Sequence, residues 1–163
     1  MPNYCDYEMR IKGSKNAIER VIECLNTGYN YGEGKPSHKH FFRVFQCEEG
    51  ELADNKDGTF TIEVYGYCAW SVYCAMMGTT TDKMSYYASV QADYPDIFMG
   101  TNLWEQSEDC EIEVFGEETE GMWFSEHYYF KNGECLVNES IEITPRRNSF
   151  RERGTDMFHY DHI

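Results

Sequence analysis

Apolar side chains occupy the odd positions and charged side chains the even positions of residues 5–12. This period of two predicts a half-buried strand, which Gly13 ends. Apolar residues then recur at the i, i+3, i+4, i+7 spacing over residues 18–25. We expect an amphipathic helix there, capped by Ser14 or Asn16, with its apolar stripe packed on a sheet.

The middle of the chain contains two strand patterns, two helix patterns and two irregular segments. The strand patterns flank the turn sequence Asn55-Lys56-Asp57-Gly58 and predict a hairpin. The second helix follows Thr101, which is a suitable cap. These segments are the strands at 41–47 and 59–67, the helices at 69–77 and 102–109, a loop at 29–40 and a stretch without clear periodicity at 82–100.

The last part of the chain predicts three strands and a polar tail. A strand with one solvent-exposed face is expected at 111–115, followed by an acidic turn. The dipeptide Asn132-Gly133 is the strongest hairpin signal in the chain, and it joins strands at 122–131 and 134–143. The remaining residues, 145–163, form a polar tail that contains four arginines.

The predicted order of elements is strand, helix, two strands, helical region, strand and a final hairpin. This order indicates an α+β fold with a ferredoxin-like split βαβ antiparallel sheet, helices on one face and an appended C-terminal β-hairpin. A chain of 163 residues fits one domain. We place that domain at 1–144 and the tail at 145–163.

Composition restricts the partners and the compartment. The net charge of −15 opposes binding to nucleic-acid phosphates, so a charged partner is expected to be basic. The chain shows no secretory leader and no apolar run near the ~18 residues of a membrane span, which predicts a cytoplasmic protein without membrane contact. Its seven cysteines are an odd number without paired spacing, and we interpret them as reduced thiols that mostly pack in the core.

The histidines offer one weak candidate for a metal site. His38 and His40 would point to one side at a strand end, but no third ligand has a recognisable spacing. His159 and His162 could complete a site only through a long-range contact. Solvent-exposed histidines are the favoured interpretation, and no metal or cofactor is expected.

No catalytic motif is recognisable. Ser125-Glu126-His127 contains an acid and a base, but successive strand residues point to opposite faces, so Glu126 and His127 are not expected to share a site. A nucleophilic pair of His127 with Cys74 or Cys135 would need a proximity that the sequence does not show. The protein is therefore predicted not to be an enzyme.

Acidic residues are concentrated in one part of the chain. Residues 101–142 contain twelve acidic residues and one lysine. Three interpretations remain open: a solubilising surface, a face that imitates nucleic-acid phosphates or meets a basic groove, and a divalent-cation site, although no calcium-loop pattern is present. The candidate partner-binding residues are Asp109, Glu111, Glu113, Glu117, Glu118 and Glu120. The five glutamates among them are expected to form one contiguous, exposed acidic edge that is dispensable for folding.

Aromatic residues suggest a second kind of site. Trp70, Tyr73, Trp104 and Trp123 could line a pocket that sequesters a nucleotide signal. The alternative is that these side chains belong to the core.

Several segments resemble the YubB-like proteins of phages and plasmids. The resemblance covers about two-thirds of the chain, and its motifs are structural, so it implies a ferredoxin-like domain and transfers no functional residue. The segments that carry it are Met1-Pro2-Asn3-Tyr4-Cys5, Gly66-Tyr67-Cys68-Ala69-Trp70-Ser71-Val72-Tyr73, Glu113-Val114-Phe115-Gly116-Glu117-Glu118, Glu126-His127-Tyr128 and Lys131-Asn132-Gly133-Glu134.

An origin in a mobile element makes an anti-defence role the leading expectation. In this hypothesis the protein binds a basic, nucleic-acid-handling protein of the bacterial host, such as a CRISPR effector, and blocks its basic channel. A binder of a small ligand or nucleotide signal is the first alternative, and a hydrolase is the second.

Overall fold

The computed structural model describes residues 3–26, 39–78 and 100–143. Within these ranges the chain forms seven strands and three helices. In chain order they are β1 (Tyr4–Gly13), α1 (Lys15–Leu25), β2 (Val44–Glu49), β3 (Ala53–Asp54), β4 (Phe60–Ala69), α2 (Val72–Met76), α3 (Leu103–Gln106), β5 (Cys110–Glu118), β6 (Phe124–Lys131) and β7 (Glu134–Glu142).

The strands form one antiparallel sheet in the order β2-β4-β1-β5-β6-β7, and the short β3 pairs with β4 off this path. The first strand lies near the middle, where Ile11 is in register with Ile62 of β4 and Ile112 of β5. The predicted α+β class and antiparallel sheet are confirmed. The strand order differs from that of a four-stranded split βαβ sheet, because β6 and β7 continue the sheet beyond β5 and β3 is added at β4.

One face of the sheet carries the apolar core. The odd residues of β1 point to this face, and they are buried from Cys5 to Ile11. Helix α1 begins after Ser14, whose side chain accepts a hydrogen bond from the backbone N–H of Ala17 at 3.1 Å. Its apolar residues Ile18, Val21 and Leu25 are buried in the same core. Each such side chain contributes about 1.5–3 kcal/mol to folding through loss of apolar surface.

The opposite face carries charged and aromatic side chains, and we call it the polar face. Side chains of register partners point to the same side of a sheet, so the pairing of β1 with its neighbours defines the members of this face. They include Asp6, Glu8, Arg10 and Lys12 of β1, Glu63, Tyr65 and Tyr67 of β4, Glu111, Glu113, Phe115 and Glu117 of β5, and Ser125, His127, Tyr129 and Lys131 of β6.

Two predicted helices are shorter than their sequence patterns. The segment expected at 102–109 is helical only in α3, and its cap is Asn102, whose side chain accepts from the N–H of Glu105 at 3.0 Å, rather than Thr101. The helix ends early because β5 already begins at Cys110. In the segment expected at 69–77, Trp70 has a left-handed backbone with φ 63°, so α2 starts only at Val72.

Candidate functional site

Glu118 is completely buried, so the prediction that it lies on an exposed acidic surface is wrong. Its two carboxylate oxygens accept four backbone hydrogen bonds, from Glu120 at 3.0 Å, Gly121 at 2.8 Å, Met122 at 2.7 Å and Trp123 at 2.8 Å. These N–H groups belong to the tight turn between β5 and β6, and without the carboxylate they would lack partners inside the protein. Glu118 therefore organises the turn.

Glu113 is also buried, with 4% of its surface exposed, and the predicted solvent-exposed face is wrong at this position. Its Oε2 lies 2.9 Å from Nε2 of His127, and the ring of Phe115 stacks on the His127 ring at a centroid distance of 4.1 Å. The other oxygen of Glu113, Oε1, is buried without a hydrogen-bond partner among the described residues. No sequence pattern predicts this pair, because the β5–β6 register brings the two residues together.

Two more candidates form ion pairs with the chain's own cations. The guanidinium of Arg20 in α1 donates to both oxygens of Asp109, at 2.5 and 2.8 Å, and this hydrogen bonding lowers the pKa of Asp109. Glu111 lies 3.6 Å from the ammonium of Lys131 and 3.9 Å from that of Lys12. These ion pairs link elements of the fold. The carboxylates of Asp109 and Glu111 are therefore less available to a partner.

The last two candidates lie where the polar face meets the turn. Glu120 is exposed, and its Oε2 accepts from the backbone N–H of Tyr4 at 3.0 Å. Glu117 is half-buried and lines a cavity on the polar face. The six predicted residues are therefore divided between the turn after β5, the polar face and an ion pair with α1, and the five glutamates among them do not form one exposed edge because Glu113 and Glu118 are buried.

The cavity on the polar face has a volume of about 370 Å³. Strands β2, β4, β1 and β5 build it, and its wall combines negative charge with aromatic rings. Its chemistry-bearing residues are the carboxylates of Asp6, Glu8, Glu48 and Glu117 and the rings of Tyr65, Tyr67 and Phe115. We call this the acidic cavity.

Close packing of the backbone shapes one side of the acidic cavity. An irregularity in the β2–β4 register between Val44 and Gln46 brings the Gln46 carbonyl against Gly66. A Cβ on Gly66 would lie only 1.8 Å from that oxygen, so no other residue fits without displacing the strand. The hydroxyl of Tyr7 donates to the same carbonyl at 2.7 Å and fixes its position.

Hydrogen bonds and charge repulsion act on the carboxylates of the acidic cavity. Glu48 accepts from the side-chain amide of Gln46 at 2.5 Å, and its hydrogen bond with the Tyr65 hydroxyl raises the pKa of that tyrosine. Burial raises the pKa of Asp6, and repulsion from Glu120 raises it further. Carboxylates that repel one another beside aromatic rings create a site that favours a cation.

Exposed aromatic rings continue the surface beside the acidic cavity. Tyr4, Phe45 and Tyr67 form a cluster with ring centroids 5.2–6.0 Å apart. The guanidinium of Arg43 lies 4.7 Å from the centroid of the Trp70 ring. Tyr65 has 49% of its surface exposed, so its ring is accessible to a partner.

The four aromatic residues predicted to form a nucleotide pocket do not line the acidic cavity. Trp104 packs edge-on against Phe130 in the core, at a centroid distance of 5.2 Å, as the alternative interpretation expected. Trp70 contacts Arg43, whereas Tyr73 and Trp123 are exposed at separate elements.

Glu126 and His127 point to opposite faces of the sheet, as predicted. On the core side, Glu126 accepts from the N–H groups of Val72 at 2.9 Å and Tyr73 at 3.2 Å and from the Tyr128 hydroxyl at 2.7 Å. Burial raises the pKa of Glu126. These contacts attach α2 to the sheet, so Glu126 has a structural role that the sequence did not reveal.

Only one of the four histidines considered as metal ligands lies within the described residues. His40 is buried, whereas His38, His159 and His162 lie outside the described residues. Within residues 3–26, 39–78 and 100–143, no group of three or more His, Cys, Asp or Glu residues could hold a metal ion. The seven cysteines are free, and four of them are buried.

In the part of the chain that the structure describes, no helix has the length and apolar character needed to cross a membrane. The site is interpreted from its own geometry. No family model, no curated protein and no solved structure matches this chain.

Proposed function

We propose that the protein is a non-enzymatic binding protein that captures a basic partner protein at the acidic cavity. The observation that carries this proposal is the convergence of four carboxylates and three aromatic rings on one cavity of about 370 Å³. Such a cavity attracts cationic side chains and repels phosphates. The same charge argues against the alternative of a nucleotide-binding pocket at this position.

Arginine is the side chain that fits this chemistry best. A guanidinium forms paired hydrogen bonds with a carboxylate and stacks on an aromatic ring, whereas the ammonium of lysine is a compact, strongly hydrated charge. Glu48 and the exposed ring of Tyr65 are register partners on β2 and β4, so one guanidinium can contact both groups. The exposed rings of Tyr4 and Phe45 extend the contact area with the residue type that dominates many interfaces.

The partner that we propose is a nucleic-acid-handling protein of a bacterial host. Such proteins hold phosphates with arginines and lysines, and an acidic surface that binds those residues competes with the nucleic acid. The net charge of −15 supports a basic partner protein. The resemblance to YubB-like proteins of phages and plasmids supports a bacterial host as its source. The function would then be anti-defence, of which inhibition of a CRISPR effector is one form.

We also propose that β1, α1, β2, β4 and β5 form a ferredoxin-like core. Support comes from the order β2-β4-β1-β5 within the sheet, from its antiparallel pairing, and from the position of α1 between β1 and β2 in the chain. In this interpretation β6 and β7 are the appended hairpin.

Calorimetry with defined peptides tests the proposed site. Hexa-arginine is expected to bind at low salt more tightly than hexalysine, and the double substitution Glu48→Gln and Tyr65→Leu is expected to remove that preference. The matched control is Glu19→Gln with Glu23→Gln, which changes two exposed carboxylates on α1. Equal affinity for both peptides, or equal losses in both variants, would reduce the interaction to nonspecific attraction by net charge.

A further inference from the structure

The turn at residues 119–123, between β5 and β6, is the most firmly held exposed segment beside the acidic cavity. Four of its backbone N–H groups donate to the buried carboxylate of Glu118. Each oxygen of that carboxylate receives two of these hydrogen bonds, which are strengthened by its charge. The backbone of the turn is therefore fixed by a group from inside the protein.

Contacts from two other segments, residues 3–4 and Ile143, hold the same turn. The backbone N–H of Ile143 donates to the carbonyl of Trp123 at 2.8 Å, and the N–H of Tyr4 donates to Glu120. Gly121 packs so closely on Asn3 that a Cβ there would lie 2.4 Å from the Asn3 amide nitrogen. These hydrogen bonds restrain the backbone of the turn, so less ordering is required when it binds.

This rigid turn exposes two large apolar side chains. Met122 has 73% of its surface exposed and Trp123 has 40%. Trp123 has a left-handed backbone with φ 55°, which is unfavourable for a bulky residue and is imposed by the surrounding contacts. These positions contribute little to the core, yet they carry residue types that often act as anchors in protein interfaces.

The charges around the turn indicate the chemistry of the partner surface. Glu120 belongs to the turn and lies close enough to Asp6 of the acidic cavity to raise its pKa. Glu117, another residue of the cavity, directly precedes the organising Glu118. An apolar tip with acidic neighbours on the side of the acidic cavity complements an apolar pocket with a basic rim.

We propose that this turn is a preorganised anchor that inserts Met122 and Trp123 into an apolar pocket of the basic partner protein, next to the arginine bound in the acidic cavity. This inference rests on the proposed function for the identity of the partner. It assigns different physical roles to two adjacent regions: the cavity supplies electrostatic attraction, and the turn supplies apolar contact area.

The test compares four forms of the protein on the strongest binding partner isolated from a bacterial lysate. They are the wild type, the cavity variant Glu48→Gln/Tyr65→Leu, the turn variant Met122→Ser/Trp123→Ser, and the control Leu136→Ser, which changes an exposed apolar residue of β7. Association and dissociation rates are measured at low and high salt. Thermal denaturation checks the fold. A fifth form, Met122→Ser alone, changes a side chain that is 73% exposed and lies outside the apolar core.

The turn variant is expected to weaken binding about tenfold or more, mainly through faster dissociation and to the same extent at both salt concentrations. Met122→Ser is expected to show a smaller loss with the same salt independence. The cavity variant is expected to slow association and to lose most of its effect at high salt. The control is expected to bind like the wild type.

Three results would overturn the inference. If the turn variants bind like the wild type while the cavity variant does not, the turn is not an anchor and the proposed function survives. If no variant differs from the wild type, or if the wild type retains no basic protein, both proposals fail. If the wild type binds phosphatidylcholine vesicles and the turn variant does not, the turn is an anchor for lipid instead.

Discussion

Glu118 and Glu48 show how differently two carboxylates of one acidic protein are used. Glu118 is fully buried, and its oxygens accept four N–H groups of the adjacent turn. Glu48 is exposed at the acidic cavity, with Gln46 and Tyr65 as neighbours. Negative charge alone therefore does not identify a binding residue. The two carboxylates differ in exposure and in their donors, because Glu118 is buried with four backbone N–H groups on its oxygens, whereas Glu48 is exposed and accepts from the side-chain amide of Gln46.

The largest expected effect is the loss of stability when the buried carboxylate is removed. Glu118→Ala leaves the N–H groups of the turn without their acceptor, and we expect the free energy of unfolding to fall by about 3 kcal/mol. Urea denaturation measures this change. The matched substitution Glu48→Ala is expected to change stability by no more than about 0.5 kcal/mol, and equal effects at both positions would remove the distinction.

The buried carboxylate of Glu126 is expected to make the free energy of unfolding depend on pH. Burial raises its pKa in the folded protein, so its contribution to stability is fully present below the ordinary glutamate pKa of about 4.3 and is lost as pH rises through the raised value. Glu126→Gln cannot titrate. We therefore expect the stability of the wild type relative to this variant to fall between acidic and neutral pH.

Urea titrations of the wild type and Glu126→Gln at a series of pH values measure that difference. The control is Glu142→Gln, which changes an exposed glutamate of β7. A difference that rises with pH would mean that the hydrogen bonds from Val72, Tyr73 and Tyr128 outweigh the burial of the charge.

The smallest expected effect belongs to Asp109. Its ion pair with Arg20 lies at the surface, and exposed pairs usually contribute less than about 1 kcal/mol. Asp109→Asn is expected to lower stability slightly at low salt and not at all at high salt, which thermal denaturation at both salt concentrations measures. If Asp109→Asn lowered the free energy of unfolding as much as Glu118→Ala, the Asp109–Arg20 pair would stabilise the fold as strongly as the buried carboxylate of Glu118 does.

The strands were predictable because their periodicity reflects burial on one face. Alternation identified β1, and Asn132-Gly133 identified the β6–β7 turn, where Asn132 has a left-handed φ of 53° and Gly133 one of 74°. The helices were harder, since the cap at Asn102 and the early start of β5 shorten α3 in a way that propensity does not show. The tail at 145–163 and most of the loop at 29–40 lie outside the described residues.

The sequence predicted a negatively charged site, but it did not predict where in the fold that site lies. The sequence indicated a basic partner, but the acidic cavity combines Glu48 of β2 with Asp6 of β1 and Glu117 of β5. These residues meet only through the pairing of strands that are far apart in the chain, and one sequence contains no record of that pairing. Glu118 was misassigned for a related reason, because its acceptor role depends on the path of the following turn.

The most direct test of the central claim is a nuclear magnetic resonance titration of the labelled protein with hexa-arginine. We expect saturable shift changes centred on the amides of Tyr65, Tyr67, Phe115 and Glu117, which line the acidic cavity. The same changes should be weak in Glu48→Gln/Tyr65→Leu. Shift changes spread evenly over the acidic surface, or centred on α1 around Glu19 and Glu23, would contradict a specific cation site at the cavity.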